Sequence, residues 1–99
     1  MDSWELGCRF DSCQSFYGKA MVTKDIYDDR VEYKLYSYKT LVAKINEYED
    51  KTIFEIVPYD VDGRTKTPTT TRHQKEFFKQ NGLGDDLIKK LFKEGKIEI

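Results

Sequence analysis

No apolar run in this sequence approaches the roughly 18 residues that a membrane-crossing helix needs, so no transmembrane segment is expected. Histidine is nearly absent, His73 being the single one, and only two cysteines occur, Cys8 and Cys13. A tetrahedral zinc site would have to be completed by carboxylates, and the cysteine spacing fits none of the usual ligand pairs. Neither a metal nor any other cofactor is therefore expected. A disulfide across a hairpin is conceivable. The stretch MDSWELGCRF, however, has no basic region followed by an apolar one, so no secretory signal is expected. That points to the cytoplasm, where thiols stay free. No Gly-rich elbow precedes a serine, and neither cysteine has an acid–base partner nearby in sequence. With no nucleophile in sight, the chain is not expected to be an enzyme.

What is present is enough for one domain spanning 1–99, just large enough to bury a single core. Only 38% of residues are hydrophobic, but seven Tyr, six Phe and one Trp supply bulky side chains to fill that core. The formal net charge of −1 hides a split. Residues 1–63 hold 8 Lys and Arg against 13 Asp and Glu, a balance of −5. Residues 64–99 hold 9 against 5, a balance of +4. Such asymmetry suggests two differently charged faces, although solvated loops and ordinary lysine-rich helices would also produce it.

Apolar residues recur with period two in 4–10, 31–37 and 41–45, the pattern of half-buried strands. Residues 16–22 read as a strand returning from a turn at 11–15, and Thr52 to Val57 as a further strand ended by Pro58. The charged run 24–29 and the acidic stretch 47–51 read as turns, and 60–68 as a loop. The period then changes. TPTTTRHQKEFFKQNG predicts a capped amphipathic helix: Thr70 or Thr71 caps it, Thr71 and Gln74 form a capping box, His73 and Phe77 share its inner face, and Asn81-Gly82 ends it. A second helix starts at Asp85-Asp86, carries Leu87, Ile88, Leu91 and Phe92 as its apolar stripe, and stops at Gly95. Residues 96–99 alternate and are either a short edge strand or frayed. The expected fold is α+β, a curled antiparallel sheet of about five strands followed by two C-terminal helices.

Three segments carry a resemblance: Ser15-Phe-Tyr-Gly-Lys19, Leu35-Tyr-Ser-Tyr-Lys-Thr-Leu-Val-Ala43, and Thr69-Thr-Thr-Arg-His73 with Glu76-Phe77 and Gln80-Asn-Gly82. With them the chain resembles a family of small uncharacterised proteins encoded by phages and prophages of Gram-positive bacteria, over about residues 4–82. The loop at 58–68 is longer than the family's pattern, and the second helix reads as an extension. The resemblance implies a context rather than a chemistry, since many phage proteins of this size bind and block a host machine.

Three readings of the site follow. His73 beside threonine hydroxyls can be drawn as an acid–base pair, but helix capping and packing beneath the sheet account for the same residues. Arg72, Lys75 and Lys79 offer side chains that contact phosphates and bases, which suggests a nucleic-acid-binding accessory protein. The acidic chain, of pI near 5.8, and the lack of a recognisable reading motif weigh against it. The leading expectation is a protein-binding module that inhibits or modulates a nucleic-acid-handling host protein, a CRISPR nuclease for example. Its contact residues would be Asp25, Tyr27, Asp28, Asp29, Glu47, Tyr48, Glu49 and Asp50. Tyrosine supplies rigid contact area, and carboxylates around it imitate phosphates on a basic partner.

Overall fold

The computed structural model describes residues 2–10, 16, 18–57 and 68–99. The fold is α+β. Six strands, β1 (Asp2–Glu5), β2 (Ala20–Ile26), β3 (Arg30–Ser37), β4 (Thr40–Tyr48), β5 (Thr52–Ile56) and β6 (Lys96–Glu98), form one antiparallel sheet in chain order. Two helices, α1 (Pro68–Gln80) and α2 (Asp85–Glu94), lie between β5 and β6 in sequence. The expected loop at 60–68 falls, but for its last residue, outside the described residues.

Period-two alternation decides which face each strand buries. Val22, Leu35, Ala43 and Ile56 sit in register across four strands, and Ile45, Phe54 and Ile97 form the next such row. All are buried, and both helices cover this face. A bulge on β4 leaves Val42 unpaired between Ala43 and Leu41, so two consecutive residues are buried there. The other face carries Met21, Tyr36 and Leu41, a row of Thr23, Lys34, Lys44, Glu55 and Lys96, and then Asp25, Glu32, Asn46, Ile53 and Glu98. One face is dry and the other is open.

α1 buries His73, Phe77 and Phe78, as its spacing predicts, with the Phe78 ring edge-on to Phe54 at 6.3 Å. Its C-terminus closes as expected. Gly82 takes the left-handed conformation, φ 97°, while the Leu83 N–H donates to Phe78 O and buried Leu83 joins the core. α2 begins with Asp85 and Asp86 against its dipole and ends at Gly95, φ 83°, whose N–H donates to Leu91 O.

Several expectations need correction. The first strand is 2–5, not 4–10, and β2 runs through the charged residues Lys24 and Asp25 that read as a loop. Lys24 survives in a strand by pairing with Tyr33, its ammonium 5.8 Å from that ring. α1 starts at Pro68, before the expected cap. Thr70 and Thr71 are therefore inside the helix, and Gln74 makes no capping box but donates from Nε2 to Val42 O at 2.9 Å. Leu87 is exposed at the rim of α2, not part of its buried stripe. Residues 96–98 are a strand, paired with β5. Cys8 is half of a disulfide, which overturns the expectation of free thiols; the other cysteine in the sequence, Cys13, lies outside the described residues.

Candidate functional site

Three tight hairpins join β2 to β5, and the meander puts the first and third at the same end of the sheet. In the first, the Tyr27 N–H donates to Arg30 O, leaving Asp28-Asp29 at the tip; in the third, the Tyr48 N–H donates to Lys51 O around Glu49-Asp50. Arg30 and Tyr48 are directly opposite across β3 and β4, so the two acidic tips lie on either side of this pair at one end of the sheet. Asp28, Asp29, Glu47, Glu49 and Asp50 are exposed, while Tyr48 is half-buried. Two clusters whose tips, Asp28-Asp29 and Glu49-Asp50, are 21 residues apart in the chain thus form one acidic end. Asp25 departs from this arrangement. It lies on the open face, half-buried and opposite Glu32, a like-charged cross-strand pair that costs stability.

Two residues at this end give it more than charge. Ile26 is 73% exposed and Tyr27 44%, a neighbouring aliphatic and aromatic pair at the rim of the carboxylates. Sequence reasoning found Tyr27 but missed Ile26, which it assigned to a loop. Arg30 orders the surface. Its Nη1 pairs with Asp29 Oδ1 at 3.1 Å, its Nε donates to Asn46 Oδ1 at 3.0 Å, and its guanidinium lies 4.3 Å from the Tyr27 centroid. Desolvation lowers the Arg30 pKa, but the hydrogen bond and charge of Asp29, with Tyr48 and Glu32 beyond, outweigh it and raise the pKa above its ordinary value. Lys34 behaves alike: desolvation lowers its pKa, and chiefly the Glu32 charge, 3.6 Å away, raises it on balance. For both groups the folded pKa is raised, so any stability they contribute is present at neutral pH and lost only as alkali passes the folded pKa.

The basic alternative is also brought together, on one side of α1. Arg72 and Lys75 are exposed, and Lys79 pairs with Asp85 at 3.4 Å. They surround a small cavity of about 80 Å³ with Phe10 and Glu76. Glu76 is 2% exposed and was not foreseen as a structural residue. Its carboxylate accepts the N–H of Arg9 at 2.9 Å, that of Phe10 at 3.0 Å and the amide of Gln80 at 2.5 Å. Gln80 also donates to Gly7 O at 2.7 Å, so one turn of α1 fixes the segment after β1.

His73 is buried. Ser37 Oγ lies 2.8 Å from its Nδ1, Phe16 meets its ring edge-on at 4.5 Å, and Tyr38 lies across it at 5.9 Å. Ser37 and His73 have the composition of a nucleophile and its base, yet they are 2% and 1% exposed. The contact ties α1 to β3 beneath the sheet, the packing role expected for His73.

Among the described residues no group of acidic, histidine and cysteine side chains is arranged to hold a metal, and no helix is long and apolar enough to cross a membrane. An open antiparallel meander with two helices on one face and separated charge defines an α+β domain. The chain belongs to a family of unknown function, DUF8033, whose model matches residues 4–95. That match includes α2, which is therefore part of the family's domain and not an extension of it. Comparison with curated proteins and with solved structures gave no match.

Proposed function

We propose that this protein is a protein-binding module that docks through its acidic sheet end on a basic, nucleic-acid-handling protein and inhibits or modulates it. The observation that carries this reading is the placement of two acidic hairpin tips at one end of the sheet, with exposed Ile26 and Tyr27 beside the first of them. Apolar contact area next to a charged patch suits a protein-binding surface, with the apolar pair giving affinity and the charges giving encounter rate and selectivity. Carboxylates spaced along two turns stand in for backbone phosphates. The resemblance to phage-encoded proteins makes a host machine such as a CRISPR nuclease the fitting target, a step that rests on analogy.

The second reading, a nucleic-acid-binding accessory protein, draws on the grouping of Arg72, Lys75 and Lys79 on α1. Its basic character is diluted by Asp85 and Glu76, which lie among those three cations.

Capture from a bacterial lysate separates the two. The wild-type chain is expected to retain a basic nucleic-acid-handling protein after nuclease treatment, and to release it as salt rises. Reversing Asp28, Asp29, Glu49 and Asp50 to Lys should abolish that capture while leaving thermal stability nearly unchanged, because exposed turn charges contribute little to the fold. Retained capture in this variant, with loss on Arg72, Lys75 and Lys79 to Glu, would decide for the second reading.

A further inference from the structure

An open cavity of about 550 Å³ lies where the uncovered sheet face meets the β3–β4 turn, lined by Gly18, Lys19, Met21, Tyr36, Tyr38 and Lys39. This is within the range of small-ligand sites, about 300–1,000 Å³. It also exceeds the cavities of about 80 and 190 Å³ beside α1.

The lining has a definite chemistry. Its apolar walls are two phenol rings and the Met21 thioether, and its charges are the ammonium groups of Lys19 and Lys39, with no carboxylate among the described lining residues. Glu5, opposite Met21 in the sheet, has its Oε1 engaged by the Gly18 N–H at 2.6 Å. The two cations flank Tyr38. Its backbone N–H donates to Lys19 O at 2.8 Å, Lys19 Nζ lies 5.6 Å from its centroid, and Lys39 follows it in the chain. Buried His73 lies across the Tyr38 ring, so this wall is built on the core and not on a free loop.

The turn backbone is a second, independent observation. Tyr38 and Lys39 have φ of 51° and 71°, the left-handed region at both central positions of a two-residue hairpin. Glycine and asparagine suit those positions, and a bulky or long side chain there is strained. The two residues placed at that disadvantage are the ones that give the cavity an aromatic wall and a positive charge. Strain of this kind gathers at ligand sites, where the side chain's role outweighs its conformational cost.

We propose that this cavity binds a nucleotide unit, with the base against Tyr36, Tyr38 and Met21 and the phosphate between Lys19 and Lys39. A planar ring with a phosphate on a short arm matches two aromatic walls beside two ammonium groups. Every base offers a π face to tyrosine, and lysine serves phosphate as a point charge. The Lys19 contact with Tyr38 is a weak one at an exposed site, so the ammonium is free to turn to a phosphate. The unit can come from a free nucleotide or from a single strand lying on the open face. The inference is independent of the acidic end, which is at the far ends of β3 and β4.

Calorimetric titration of the whole chain with dAMP, deoxyadenosine, dodecyl phosphate and tetradeoxyadenylate tests it. Binding of dAMP or the tetranucleotide is expected, with deoxyadenosine and dodecyl phosphate weaker by roughly tenfold or more. Lys19→Glu and Lys39→Glu should each weaken binding by roughly tenfold, and Lys39→Arg should largely preserve it. Both lysines are exposed, so these variants fold. Tighter binding of the tetranucleotide identifies a single strand as the source, and equal binding identifies the free nucleotide. Absence of binding at millimolar nucleotide, equal binding of deoxyadenosine or dodecyl phosphate, or indifference to both lysine reversals would each overturn the proposal.

Discussion

Glu76 is a carboxylate in the middle of a helix, nearly without solvent, answered by the N–H groups of Arg9, Phe10 and Gln80. These bonds are part-buried and made to a charged acceptor, and the net worth of such a hydrogen bond is about 1.5–3 kcal/mol. Glu76→Ala should therefore lower unfolding free energy by about 2–3 kcal/mol, and Glu76→Gln by less, since it keeps one acceptor oxygen. Urea titration of both variants measures this; equal, negligible shifts would mean that the segment after β1 contributes nothing. Phe77 tests the hydrophobic half of the same helix. Truncation to Ala should cost about 3–5 kcal/mol, and unchanged thermal stability would show that the ring faces outward. Phe77 was legible because an apolar residue at helical spacing has one reasonable destination. Glu76 was not, because its partners are backbone groups 66 and 67 positions away, and backbone leaves no mark in a sequence. Cys8 was misjudged for a different reason: a compartment inferred from the lack of a secretory signal said nothing about whether the fold bonds this sulfur.

The hairpins show where element-level reasoning succeeds and fails. β3, β4 and β5 were readable because apolar residues alternate along most of each, in β4 despite the bulge that buries Val42 beside Ala43, and the acidic turns because carboxylates crowd their tips. β2 was placed too early, since Lys24 and Asp25 look like loop residues until Tyr33 and Glu32 are seen opposite them. The Tyr38-Lys39 turn was not legible, for its composition carries none of the Asn or Gly that announces a left-handed turn. That same composition makes a prediction. A non-glycine residue in the left-handed region costs about 1–2 kcal/mol, so Lys39→Gly should raise stability by about 1 kcal/mol. For a domain of this size the melting temperature should rise by about 4–8 °C. A lower melting temperature would mean that the Lys39 side chain stabilises the turn by more than its backbone costs, and the strain argument for the cavity would lose its basis.

At the scale of the whole molecule the fold separates charge along the strands, and both poles come from the acidic part of the sequence, residues 1–63. The acidic hairpin tips occupy one end of β3 and β4, and Lys19 and Lys39 the other. β3 spans eight residues, Arg30–Ser37. At about 3.3 Å per residue the two ends are therefore roughly 25 Å apart. The Debye length at physiological ionic strength is only about 8 Å, so exposed charges at one end are screened from the other. The two surfaces should then behave as independent sites. Reversing Asp28, Asp29, Glu49 and Asp50 to Lys should change nucleotide affinity by no more than about 0.5 kcal/mol at physiological salt, the usual limit for distant positions. Lys19→Glu with Lys39→Glu should likewise leave protein capture by the acidic end intact. Combining both sets should give the sum of their separate effects. At low salt the screening length grows to about 30 Å at 0.01 M, and there the acidic reversals should measurably strengthen nucleotide binding. Coupling that persists at high salt cannot be electrostatic. It would have to pass through the strands themselves, with β3 and its Ser37–His73 contact to α1 as the physical link between the ends.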